Sequence, residues 1–416
     1  MVVSGNDENF LARALELARR GVGLTSPNPS VGALVVDERT GEVIGTGSHT
    51  YQGVKHAEAT ALEQAGDRAR GATLYLTLEP CTHHGRTGPC ADIVIRSGIR
   101  RLVALMKDPN PEVNGRGFEK LRAAGVVVEL HQGKLAEEAR SLNEAFTKYI
   151  RTRLPLVTLK AAMTLDGKIA PPPGESENPT ALGAGGASGG WITSEEARAH
   201  VHQLRHANDA IMVGVGTIIA DDPLLTDRTG LPRRRPLMRV IVDSRLRLPL
   251  ESRIVKTAQQ DVVVFCALAE EKKKRELEQR NIRVEQVPLN TGEQPVEPAI
   301  PIAHGSAALA RRRVPLLDGR PDLRKIMERL GDMEITSLLI EGGALVNWAA
   351  LASDIVDKVF LYYAPKILAG TGSVPFAAGA GFQRMSDAAY VKSVSIHHFG
   401  EDFAVEGYLR NPYEGL

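Results

Sequence analysis

Two successive runs of alternating strand and helix periodicity, separated by a break at Arg151 to Pro155, constrain the fold of this 416-residue chain more than any other feature. In the first run, Asn9 to Arg20 carries apolar residues at helical spacing. Ser30 to Asp37 and Glu42 to Gly47 read as strands joined by a turn at Thr40 and Gly41. A helix from about His56 to Arg68, a strand Ala72 to Leu78, a helix Ala91 to Ser97 and a strand Arg101 to Met106 follow. A helix Gly117 to Ala124, a strand Val126 to Leu130 and one long helix from Gly133 to Ile150 close the run. The second run starts at Leu156. Its strands fall near 156–162, 209–214, 237–242, 261–266, 282–287, 336–341 and 356–363, its helices near 194–207, 269–280, 322–331 and 344–352, and Val391 to Leu409 reads as a hairpin. Such alternation implies sheets covered by helices on both faces. The expectation is an α/β protein of two domains, 1–150 and 151–416, each long enough for its own core.

Two segments interrupt the second run, Pro171 to Gly190 and Pro288 to Pro321, both of loop composition. The formal charge of +1 gives bulk electrostatics no hold on a nucleic acid or a membrane. Basic runs at Arg233 to Arg235, Lys272 to Arg275 and Arg311 to Arg313 read as solvated faces or exposed loops. No apolar run is long enough to span a bilayer. Met1 to Asn9 is polar and acidic, unlike a signal peptide. Three cysteines, Cys81, Cys90 and Cys266, make no disulfide framework. A cytoplasmic setting is expected.

The sharpest chemical signal is His56-Ala57-Glu58 together with Pro80-Cys81 and Pro89-Cys90. One imidazole and two thiolates form a neutral three-ligand set for Zn2+ and leave a fourth position for water, whose pKa the metal lowers toward neutrality. Residues two apart on a helix point about 200° away from each other, so one metal does not readily take both His56 and Glu58. The pattern therefore assigns His56, Cys81 and Cys90 to the metal and Glu58 to proton transfer. Cys90 opens a helix, whose N-terminus favours the thiolate. A closed structural site completed by His83 or His84 is the other reading of these residues.

This pattern resembles the cytidine-deaminase superfamily, with its H-x-E and P-C-x-x-C motifs, although here eight residues and not two separate the cysteines. Within that superfamily, EPCTHHGRTGPC, PNPSVGALVV (27–36), GSHTYQGVKHAEA (47–59) and KDPNPEVNGRG (107–117) resemble the pyrimidine deaminases of riboflavin biosynthesis. The resemblance implies a cytidine-deaminase-like α/β/α sandwich with Asn28, His49, His83, Asp108 and Asn110 lining the substrate pocket. Asn and Asp side chains supply the donors and acceptors that a pyrimidine edge needs. The same residues beside prolines are also common turn formers. Lys55 and Arg86 are the nearby cations for a substrate phosphate.

In the second half no G-x-G-x-x-G follows a strand, which leaves a Rossmann cofactor site unsupported. Glu341-Gly342-Gly343 instead joins a strand to a helix, a turn that allows backbone to approach a phosphate. LKAAMTLDGKIA (159–170), WITSEEAR (191–198), DAIMVGVGTIIADDPLLTDR (209–228), RVIVDS (239–244), LLIEGGALV (338–346) and VDKVFLYYAPKILAG (356–370) resemble the reductase that accompanies this deaminase. The resemblance implies a dihydrofolate-reductase-like α/β domain that uses NADPH. It places Ala162, Trp191, Thr217, Asp221, Ser244 and Gly343 at the cofactor, and Arg205, Leu225, Arg228 and Glu341 at the substrate. Arg205 and Arg228 have the chemistry to grip a ribose phosphate. Asp166 is either a proton donor near the nicotinamide or a turn-capping carboxylate. Arg239 and Arg245 are candidates to face the adenosine phosphate. Ser188-Gly189-Gly190, behind a long Pro/Gly insertion, departs from the family's serine-rich approach to the tryptophan.

Taken together, the expected protein is a bifunctional enzyme with one Zn2+ per chain and NADPH. It deaminates a phosphoribosylaminopyrimidine and then reduces its ribose to a ribityl chain. A homo-oligomer with no nucleic-acid or membrane partner is expected. One rival is an RNA base-editing deaminase with an inactive reductase-like domain, opposed by the near-neutral charge. The other is a zinc-stabilised interaction module without catalysis, opposed by Glu58 beside an open metal position.

Overall fold

A computed structural model describes residues 5–82, 88–172, 190–290 and 319–414. Contacts divide the chain into two units, one running to Thr152 and including Pro232–Arg235, the other made of Arg153–Leu231 and the chain from Pro236 onward.

The first unit is built on β1 (Gly32–Asp37), β2 (Glu42–Ser48), β3 (Thr73–Leu76), β4 (Arg101–Ala104) and β5 (Val127–Leu130) in the order β2-β1-β3-β4-β5. β1 is antiparallel to β2 and β3, while β3, β4 and β5 run parallel. Six helices accompany it: α1 (Gly5–Arg19), α2 (Ala57–Ala65), α3 (Cys90–Arg96), α4 (Arg116–Ala123), α5 (Lys134–Leu142) and α6 (Glu144–Thr152). α1 buries Leu11, Ala14, Leu15 and Ala18, a single helical stripe. It lies so close to β1 that a Cβ at Gly32 would meet the Ala14 carbonyl at 2.0 Å. The single helix expected over 133–150 is two helices, because Asn143 is spent elsewhere. Its amide accepts from Ser30 N at 2.8 Å and donates to Ser30 O at 3.1 Å, tying the helix break to the chain entering β1. The Arg233–Arg235 run is half-buried, not solvated: Arg234 N donates to Gly23 O at 2.7 Å and its guanidinium lies 3.4 Å from the Tyr51 ring centre.

In the second unit the strands are β6 (Leu156–Thr164), β7 (Lys168–Ala170), β8 (Ala210–Gly214), β9 (Met238–Val242), β10 (Val262–Cys266), β11 (Ile282–Gln286), β12 (Ser337–Ile340), β13 (Lys358–Ala364), β14 (Val374–Pro375), β15 (Lys392–Phe399) and β16 (Asp402–Tyr408). Nine of them form one sheet in the order β11-β10-β9-β8-β12-β6-β13-β16-β15. The strands from β11 to β13 in that order are parallel, and the β15–β16 hairpin closes the edge antiparallel. The helices are α7 (Glu195–Ala207), α8 (Val215–Asp221), α9 (Arg253–Lys256), α10 (Glu271–Glu278), α11 (Leu323–Asp332) and α12 (Ala344–Ala352). Alternate strand residues feed opposite faces. Met212, Val240 and Val263 pack with α11 and α12, whereas Ile211, Val213, Ile241 and Val264 pack with α8, α9 and α10. After β6 the chain skips a place to β8 and later returns to insert β12 between them. The carboxyl ends of the parallel strands at such a reversal are the usual ligand position in sheets of this kind.

Candidate metal centre and cofactor site

His56 is the N-cap of α2, in extended conformation, so its imidazole leaves the helix axis and Glu58 follows inside the first turn. Cys81 lies beyond the end of β3, and Cys90 is the first residue of α3. The ligand atoms of His56, Cys81 and Cys90 all lie within 4.8 Å of one another. His56 Nδ1 is 3.2 Å from Cys90 Sγ and 3.6 Å from Cys81 Sγ. Zinc bonds of ~2.0–2.3 Å in a tetrahedron put ligands about 3.4–3.8 Å apart, so the set fits a zinc ion with little movement. Hydrogen bonds from Cys90 and His56 hold the Cys81 thiol well below its ordinary value against the effect of burial, and Cys90, facing that thiolate, is pushed up. A zinc ion held by His56, Cys81 and Cys90 would favour the thiolate form of both cysteines. Among the described residues no other His, Cys, Asp or Glu joins the cluster. His83, His84 and Arg86 lie outside the described residues.

Glu58 is 4% exposed and is not a member of the cluster. Burial pushes its carboxyl up to about 7, with His56 opposing. His49 is also buried and meets the His56 ring edge-on at 5.3 Å between centres. Its Nδ1 donates to the Lys55 carbonyl at 3.1 Å, because a carbonyl only accepts, and this leaves Nε2 to accept from Asn28 Nδ2 at 3.1 Å. Asn28 and His49 are thereby brought to the metal cluster in one chain of contacts. Asp108 is buried and close enough to Glu58 and Cys81 to feel their charges. Burial pushes it up to about 7, while a hydrogen bond from Asn110 N at 2.8 Å opposes the rise. Asn110 in turn accepts from Glu112 N. Lys55 is exposed and paired with Glu63 at 2.7 Å, which leaves it a weaker phosphate partner than its place in the sequence suggested.

In the second unit several candidate residues lie near or follow the carboxyl ends of the parallel strands. Ala162 is on β6, Thr217 and Asp221 on α8 after β8, and Ser244 just after β9. Gly343 caps α12 at φ 78°, a conformation that suits glycine, and a Cβ there would come within 3.1 Å of Thr217 Oγ1. Trp191 is exposed under the Arg198 guanidinium at 4.7 Å, and its carbonyl accepts from Lys366, just beyond β13.

Glu341 is held by Arg205 in a two-pronged ion pair, at 2.6 Å and 2.9 Å, and by Lys160 at 3.5 Å. Burial alone would raise its carboxyl, but the two cations outweigh it and hold Glu341 at about 2. Lys160, equally enclosed, is pushed down by burial. Arg205 also donates to Thr226 O at 3.0 Å, so its fork is committed to the protein. Arg228 is exposed. The Leu225 side chain belongs to the core, and its backbone sits at φ 54°.

Two further candidates change role. Arg239 is 2% exposed and spends its guanidinium on Asp261, Thr257 and Leu224 O, which removes it from any cofactor phosphate. Asp166 accepts from Thr164 Oγ1, Leu368 N and Ala369 N and is held below the usual carboxylate range by the first of these. It caps a turn and does not store a proton.

The model of the RibD C-terminal domain matches residues 155–405, and that of the cytidine and deoxycytidylate deaminase zinc-binding region matches residues 4–106. The riboflavin biosynthesis protein RibD of Actinobacillus pleuropneumoniae is 39% identical over 98% of this chain and 96% of its own length. The chain belongs to the RibD family. RibD of Escherichia coli is 36% identical over 95% of this chain and 97% of its own length. Among solved structures, RibD of Acinetobacter baumannii superposes with a TM-score of 0.74 at 31% identity, covering 97% of this chain and 98% of the other. The Thermotoga maritima diaminohydroxyphosphoribosylaminopyrimidine deaminase/5-amino-6-(5-phosphoribosylamino)uracil reductase does so with 0.72 at 35%, over 97% and 98%. As a RibD-family member the chain is a bifunctional riboflavin-biosynthesis enzyme, a hydrolase and an oxidoreductase. It carries a zinc-binding deaminase domain and a reductase domain that takes a nicotinamide cofactor, and the RNA-editing rival falls. No helix among the described residues is long and apolar enough to cross a membrane.

Sequence reasoning passed over Lys160 and Glu79. Lys160 lies within LKAAMTLDGKIA, where a lysine inside a strand was the available signal. Glu79 opens EPCTHHGRTGPC, where a carboxylate directly before Pro80-Cys81 was the available signal. A RibD-family metal centre of this geometry yields a direct expectation. Purified protein carries about one zinc per chain, and Cys90→Ser, which replaces a soft thiolate by a poor zinc ligand, loses both metal and deaminase activity. Elemental analysis of the variant checks this, and full zinc content there would remove Cys90 from the ligand set.

Proposed function

We propose that the two units act in turn on one small molecule. The first removes the exocyclic amine at position two of 2,5-diamino-6-(5-phosphoribosylamino)pyrimidin-4-one, and the second reduces its ribosyl group to ribityl with NADPH. The observation that carries the reading is the three-ligand cluster with buried Glu58 beside it and no fourth protein ligand among the described residues. When bound there, zinc supplies an activated water for attack on the ring carbon. Glu58 takes the proton from that water and returns it to the amine, which leaves as ammonia. Asn28, fixed through Nδ2 by His49, offers its amide oxygen to the pyrimidine, and Asp108 and Asn110 are the further partners of the ring.

In the second unit Ala162, Trp191, Thr217, Asp221, Ser244 and Gly343 hold NADPH, which supplies the hydride. The glycine turn at Gly343 admits backbone close to a phosphate at the N-terminus of the nine-residue α12. Glu341, immobilised by Arg205 and Lys160, orients the ribose, with the Leu225 backbone beside it. Exposed Arg228 takes the phosphate, while Arg205 holds Glu341 at the substrate. Exposed Arg245, just beyond β9, is the arginine for the adenosine phosphate. The chain works in the cytoplasm without nucleic acid, in keeping with its charge of +1. A homo-oligomer is supported by the exposed edge strand β15, where Val394 and Ile396 are 54% and 61% exposed.

An anaerobic assay with the diaminopyrimidinone phosphate tests the reading. Ammonia release is expected without NADPH, and NADPH oxidation only after deamination. Equal NADPH oxidation on undeaminated substrate would reverse the order, and a strong preference for NADH would overturn the cofactor.

A further inference from the structure

Glu79 stands at the end of the turn leaving β3, two residues before Cys81, and is 2% exposed. Its carboxylate is not part of the metal cluster. It accepts from four backbone N–H groups. Oε2 accepts from Asp108 N at 3.0 Å and Gly115 N at 2.8 Å, and Oε1 accepts from Gly117 N at 2.8 Å and Phe118 N at 3.1 Å. Gly117 and Phe118 lie in the first turn of α4, whose own cap residue, Gly115, has no side chain to offer. The orphan donors of that turn are satisfied from 38 and 39 residues away. Four donors on one acceptor-only group compensate the burial of its charge. They also gather the whole segment from Asp108 to Phe118 around a single point. The approach is close enough that a Cβ at Gly117 would meet Pro80 O at 2.2 Å.

That segment carries Asp108 and Asn110, and Asp108 is bonded to Glu79 through its own amide. We infer that Glu79 is a positioning residue for deamination, fixing Asp108 and Asn110 in register with Cys81 so that the pyrimidine edge meets the metal in a reactive pose. The inference rests on the reading that Asp108 and Asn110 face the substrate.

The test is Glu79→Gln in the full chain, assayed as deamination per bound zinc, with retained zinc reporting a folded first unit and reductase activity a folded second one. The amide sets an N–H against N–H donors on one side and releases part of the segment. Displacement of about 1 Å at a reacting centre costs roughly 10²-fold, so kcat/KM per bound zinc falls by about that factor, with KM raised and zinc retained. Glu79→Asp keeps the buried charge but is one methylene short, and it raises KM in the same direction if the glutamine variant does not fold. Asp108→Asn is the reference. If it raises KM while both Glu79 variants keep wild-type KM and kcat per bound zinc, or lose activity only in step with zinc, the inference is overturned. If Asp108→Asn leaves KM unchanged, the pocket reading fails and the inference with it.

Discussion

Replacing Glu58 with glutamine is expected to leave zinc at about one per chain and to cut deamination by ~10²–10⁴-fold, the usual contribution of a positioned proton carrier. The geometry separates the two effects. His56, Cys81 and Cys90 close the metal cluster without Glu58, so an isosteric amide removes the proton carrier and leaves every ligand in place. Glu58 is 4% exposed, and glutamine fills the same space without the cost of a buried charge, so stability does not confound the result. Reduction of the already deaminated substrate should be unchanged. Steady-state deamination paired with zinc analysis decides the matter. Near wild-type turnover would take Glu58 out of the chemistry, whereas loss of zinc alongside activity would make it a structural support of the metal.

How far the site was legible depended on how far its partners lie along the chain. His56, Glu58, Cys81 and Cys90 were readable because three soft or borderline ligands and one carboxylate make chemical sense together, whatever fold carries them. The parallel strands β6 and β8 to β13 were readable because apolar residues recur through each over a strand's length, whereas the three-residue β7 was not expected. The break at Asn143 was not, since its cause is Ser30, 113 residues away. Arginines were the hardest. Arg205 and Arg239 both looked available for phosphate, yet one is claimed by Glu341 at a separation of 136 residues and the other by Asp261 at 22. A lone guanidinium and one with a buried partner look identical in sequence. Only tertiary pairing tells them apart. Glu79 is the same case in reverse: its four donors are backbone amides, which leave no trace in residue identity.

The second large effect concerns Glu341. Its side chain is 8% exposed between Arg205 and Lys160, whose own side chains are 14% and 12% exposed. Removing the one anion strands two cations in a place water barely reaches. Breaking a buried pair from one side costs about 3–5 kcal/mol, because the uncompensated charge remains. Glu341→Gln should therefore lower the melting temperature of the reductase unit by roughly 10 °C and abolish reduction, while zinc content stays intact. The pH dependence has a definite sign. The folded carboxyl sits at about 2, below the ~4.3 of an unfolded glutamate, so its contribution is fully present above the unfolded value and disappears as pH falls toward 2. Wild type should lose stability through that acid window more steeply than the variant, which no longer has the group to protonate. Calorimetry of both proteins from pH 7 to pH 3 measures this. Parallel stability curves, or a glutamine variant as stable as wild type at neutral pH, would mean that the three side chains are not coupled as the distances imply.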